Sequence, residues 1–207
     1  MSFKIRHFIS MLAVSFCACD VHAGALLDDI GYTALQTALG SATPNGAGIT
    51  VGQVEASTVA STALGFPIYA PDPAQFPGKS LNFPGIPSNG YSAHATGVGQ
   101  VLYGTGSMSS GASSIYSYEV NGWLNALNTG SGRASSLPAR ITNHSWVGGT
   151  DTPQDAYDLL RSVDRQVQRN EAIQVVAMDN GMSGSPLLGS AFNVIAVGKT
   201  DGSHDRG

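Results

Sequence analysis

Residues 152–178, "TPQDAYDLLRSVDRQVQRNEAIQVVAM", carry the pattern on which the fold class turns. Thr152 can accept from the free N–H groups of a first helical turn, Pro153 suits the first position inside it, and Asp155 favours its positive end. Ala156, Leu160, Val163 and Val167 then recur at helical spacing, which predicts a helix over 153–169 with one apolar stripe. The spacing changes at 172–178, "AIQVVAM", an apolar strand, and the stripe needs a sheet beneath it.

The same alternation extends in both directions. "ARITNHSW" (139–146) and "FNVIAVG" (192–198) read as strands on either side, and further back lie a short helix near 121–128 and a strand near 113–120, "SSIYSYEV". Before them come a helix from about His94 to Tyr103 and a strand, "GITVGQVE" (48–55), opened by the turn-like "PNGAG". Residues 26–39, "LLDDIGYTALQTAL", predict a first helix ended by Gly40 and Pro44. Between 65 and 90 fall six of the ten prolines, which break helix and strand periods alike and mark a long surface excursion. Strands alternating with helices, and apolar enough to be covered on both faces, predict an α/β fold with a parallel sheet.

A chain of 207 residues with 42% apolar and 12% charged side chains suits one folded domain. Lys4, Arg6 and His7, then the apolar run Phe8–Cys19, then Val21-His22-Ala23 form a secretory signal, so residues 1–23 are expected to be a signal peptide and 24–207 the domain. The product is then secreted or periplasmic, with lipid anchoring at Cys19 disfavoured by the poor Phe16-Cys17-Ala18 context. Both cysteines lie in that leader, so the mature chain carries no thiol. Nothing later approaches ~20 consecutive apolar residues, so no membrane span is expected. Without the leader, 8 basic and 13 acidic residues remain, a net −5, which argues against a nucleic-acid partner. The five histidines are scattered, with no metal-ligand spacing, and Asp151 and Asp155 are better explained by capping than by calcium.

In an open parallel sheet, reactive groups collect at the carboxyl ends of the strands. Read in order, those ends present Glu55, then His94 at a helix start, then "NHSWVGG" (143–149), then "MDNG" (178–181). A carboxylate fixes an imidazole's tautomer and stabilises its cation, the imidazole takes a proton from a nucleophile, and an amide N–H stabilises an oxyanion. These are parts of acyl-transfer chemistry, which needs no cofactor. The nucleophile is not among them.

At these residues the chain resembles the subtilisin-like serine proteases, or subtilases. "GAGITVGQVEAS" (46–57) is similar to the family's acid-bearing strand, "HATGVGQVLYG" (94–104) to its histidine helix, and "ARITNHSWVGG" (139–149) to the strand whose backbone holds the peptide substrate. "AIQVVAMDNG" (172–181) resembles the strand ending in the oxyanion asparagine, and "NVIAVGKTDG" (193–202) the strand after it. The five blocks stand in family order. The resemblance implies a three-layer fold, a mostly parallel sheet with helices on both faces, incomplete at the C-terminus. It also implies a peptide or protein substrate, with Glu55 as orienting acid, His94 as general base, Asn180 as oxyanion donor, and Ser145, Trp146 and Gly148 along the substrate edge.

Two departures bear on activity. The family places Asp where this chain has Glu55, and one extra methylene displaces the carboxylate or the ring by ~1 Å, enough to cost about 10²-fold in rate. The family's Gly-Thr-Ser-Met-Ala nucleophile block does not occur before Gly207, which predicts a serine endopeptidase present as a fragment, inactive by itself. "GTGSM" (104–108) would require a permuted topology. "GMSGSPLLG" (181–189), with Ser183, resembles the nucleophile block of chymotrypsin-like proteases, but the helix at 153–169 contradicts their all-β fold. The rival reading is a non-catalytic peptide-binding or structural module that keeps the fold. A nucleotide-binding domain is disfavoured, because "ASTVAS" follows the first strand with no GxGxxG and no GK[ST].

Overall fold

The structure, a computed structural model, describes residues 27–57, 66–127, 136–178 and 187–198. Its centre is β1 (Thr50–Glu55), which pairs in parallel with β3 (Ser114–Glu119) on one side and β4 (Ile141–His144) on the other. Outside these lie β2 (Ser80–Asn82) against β3, and β5 (Ile173–Ala177) then β6 (Val194–Val197) beyond β4. The order β2-β3-β1-β4-β5-β6 is parallel throughout, the α/β sheet that the alternating elements predict.

Side chains alternate across a strand, so each strand feeds two cores. Val51 and Ile115 face α2 (Ala93–Tyr103) and form a small cluster with Phe76, Tyr103 and Ala112. Val54, Tyr118 and Val176 face the other way, into a larger cluster with Trp123 and Leu124 of α3 (Val120–Ala126) and Leu159 and Val163 of α4 (Pro153–Asn170). Helices therefore cover both faces, giving three layers. Gly52 is required where β1 meets β4: a Cβ there would lie 2.7 Å from Thr142 Oγ1 and 3.2 Å from the Ala139 methyl.

Helix α4 starts as its sequence predicts. The Thr152 hydroxyl oxygen accepts from Asp155 N–H at 3.1 Å and donates to the Asp155 carboxylate at 2.7 Å. The buried stripe is rotated from the expected one: Leu159, Ser162, Val163 and Gln166 face inward, with Ala156 and Val167 at its margins. Two polar residues lie there: Ser162 Oγ donates to Asp158 O at 2.8 Å, and Gln166 Oε1 accepts from Gln174 Nε2 at 2.9 Å, while the Gln166 amide nitrogen has no hydrogen-bond partner among the described residues.

Two other expectations are corrected. Helix α1 (Tyr32–Leu39) begins after Gly31, whose φ of 75° interrupts the helix expected from 26. The proline-rich stretch contains a strand, β2, and a 3₁₀ turn at Pro73–Gln75 started by Asp72. Strand β6 leaves Ile195 and Val197 exposed, and Phe192 before it is 95% exposed. Residues 1–23, where a signal peptide is expected, lie outside the described residues. No helix among the described residues is long and apolar enough to cross a membrane.

Candidate active site

Glu55 is the last residue of β1, where the sheet's central strand reaches its carboxyl end. It falls on the α2 face with Val51 and Gln53, and the helix above closes it off, leaving it 1% exposed. Ser92 starts that helix, its hydroxyl accepting from Ala95 N–H at 3.2 Å, so His94 emerges in the first turn. The imidazole leans back over the strand end, with Nε2 3.3 Å from Glu55 Oε2 and half of the ring exposed.

A third group completes the geometry. The chain leaves β4 at Ser145, whose carbonyl oxygen lies 3.2 Å from His94 Nε2. A backbone carbonyl only accepts, so Nε2 carries the proton and Nδ1 is left as the basic nitrogen of the neutral ring. The Ser145 side chain is held separately, its Oγ accepting from Asn143 Nδ2 at 2.7 Å.

The charges of the pair are set by environment. The Glu55 carboxylate beside it pushes the His94 pKa above its ordinary 6.5, against the opposing effect of partial burial. Burial pushes the Glu55 carboxyl up, while the His94 imidazole beside it and the hydrogen bond from Gln53 pull it down. Glu55 Oε2 accepts no well-directed hydrogen bond among the described residues, so its interaction with His94 is a close charge contact.

Of the residues singled out by sequence, Glu55, His94 and Ser145 converge. Gly148 and Trp146 follow on the same segment: the Gly148 carbonyl accepts from Leu187 N–H at 3.3 Å, and a Cβ on Gly148 would come within 3.2 Å of the Trp146 ring. Trp146 itself turns inward, 8% exposed, its indole N–H donating to His144 Nδ1 at 3.2 Å. Asn180 and Ser183 lie outside the described residues. Among the described residues no group of three or more His, Cys, Asp and Glu side chains is arranged to hold a metal ion.

Two residues of the site escaped the sequence reading. Gln53 Nε2 donates to Glu55 Oε1 at 2.8 Å and to Ala95 O at 2.8 Å, and Tyr103 O–H donates to Gln53 Oε1 at 2.6 Å. The available signal was a glutamine two positions before an acid in an otherwise apolar strand, which places both on one face. A second carboxylate, Glu119, ends β3 in register with Glu55, but it accepts from Asn121 N–H at 2.7 Å and Gly122 N–H at 3.1 Å and serves as the cap of α3.

No protein-family model matches the chain, and no curated protein matches it. Among solved structures it is similar to the PatG macrocyclase domain, at a TM-score of 0.48 and 12% identity, over 82% of this chain and 62% of that one. It is also similar to the MycP3 protease of the type VII (ESX-3) secretion system, at a TM-score of 0.44 and 17% identity, over 72% of this chain and 47% of that one. The chain thus spans less than two thirds of either structure.

Proposed function

We propose that this chain is the acid- and histidine-bearing part of a serine endopeptidase of the subtilase class, secreted or periplasmic, acting on peptide or protein substrates. The observation that supports it is the contact of a buried strand-end carboxylate with a helix-start imidazole whose other nitrogen makes no hydrogen bond among the described residues. In this reading Glu55 fixes the ring and stabilises its cation, and His94 Nδ1 takes the proton of a serine hydroxyl as that oxygen attacks the scissile carbonyl. The proton then passes to the leaving amine. Asn180 supplies an N–H to the oxyanion, and the backbone of Ser145–Gly148 lies beside the extended peptide. The nucleophilic serine belongs to a block outside these 207 residues.

The test is to read the coding sequence past the codon for Gly207, express the extended protein and treat it with a fluorophosphonate. One labelled serine downstream of 207, with labelling abolished in His94→Ala, is the expected result. A folded extended protein that takes no label overturns the proposal in favour of a non-catalytic module, and labelling of the 207-residue chain at Ser183 overturns the assignment of the nucleophile.

A further inference from the structure

We propose that Gln53 and Tyr103 are positioning residues, a buried latch that holds the Glu55 carboxylate toward His94 and lets a glutamate occupy this strand end. The inference rests on the acid–imidazole reading above and adds to it the part that makes the longer acid workable.

The amide of Gln53 has only one orientation here. Ala95 O accepts and cannot donate, so the NH₂ group must face Ala95 and Glu55, and both of its hydrogens are used, each at 2.8 Å. The opposite end of the amide takes the Tyr103 hydroxyl at 2.6 Å. Gln53 and Tyr103 are fully buried and Glu55 is 1% exposed, so no water competes for these positions. Ala95 is the neighbour of His94, so the amide that holds the acid also ties the acid's strand to the histidine's helix.

A glutamate has one more rotatable bond than an aspartate, and an untethered carboxylate would sample positions off the imidazole. With Oε1 held back by Gln53, Oε2 is the oxygen left facing His94. The fold leaves room for the latch at Gly99, where a Cβ would lie 2.6 Å from the Tyr103 hydroxyl oxygen and 2.8 Å from Phe76. The Gln53 N–H also favours the ionised carboxylate against a burial that opposes it.

The experiment is an NMR titration of the His94 imidazole in the 207-residue chain, its resonance assigned by loss in His94→Ala. Glu55→Gln should lower the His94 pKa, because the counter-charge is gone. Gln53→Met should lower it by less than Glu55→Gln does, and Tyr103→Phe by less again, since it frees the amide without deleting it. Tyr103→Phe removes one oxygen atom and decides the matter if Gln53→Met does not fold. An unchanged His94 in Glu55→Gln overturns the acid–imidazole pair itself. A shift in Glu55→Gln with none in Gln53→Met or Tyr103→Phe leaves the pair standing and overturns the latch, and a fall in unfolding temperature alone counts against it.

Discussion

His94 and His144 lie on opposite faces of one sheet, and their surroundings drive them in opposite directions. His94 gains a carboxylate and is pushed up, whereas His144, buried between Trp123, Trp146 and Gln174, is pushed down to about 4 by burial. Its tautomer is fixed: Nδ1 accepts from the Trp146 indole, so Nε2 carries the hydrogen given to Gln174 Oε1 at 2.7 Å. Folding therefore favours the neutral ring, and the unfolded chain takes up a proton first as pH falls. The resulting stabilisation is complete above pH 6.5 and drains away as pH drops to about 4, a loss of roughly 3 kcal/mol. Urea unfolding of the wild type and of His144→Gln at pH 7 and pH 4.5 should show this component of the pH dependence only in the wild type. The sequence places His144 inside the block at 139–149 without showing what surrounds it. It does not reveal Gln174 and Gln166, because their pairing depends on the stacking of α4 over β5.

At the scale of single elements, local chemistry was readable where it acts within a few residues. The cap at Thr152 and the extended runs at β1, β3, β4 and β5 follow from residue type and spacing. Packing rotated the α4 stripe toward Gln166, which periodicity of apolar residues cannot register. Strand β2 has three residues and no alternation to read, and exists because Ser80, Leu81 and Asn82 find partners on β3. Gly52 is likewise a tertiary requirement. Gly52→Ala should cost about 1–3 kcal/mol, read as a lower urea midpoint, because its methyl meets the buried and stiff side chain of Thr142.

For the whole molecule, the fold class follows from the order of strands and helices, and the placement of Glu55 and His94 at one sheet edge follows from the fold class. The latch does not, since it requires knowing that the histidine helix lies over the face shared by positions 53 and 55. The same layout has a consequence in time. Val51 is paired with Ile115 on one side and Ile141 on the other, so the middle of the sheet is the earliest strand made and waits for distant ones. Closing such long loops before any pairing repays them is slow. Stopped-flow refolding should therefore relax over milliseconds to seconds, where a bundle of local helices would take microseconds to milliseconds. On a ribosome, the segment bearing Glu55 would spend that interval as an unpaired, apolar ribbon needing shelter from its neighbours.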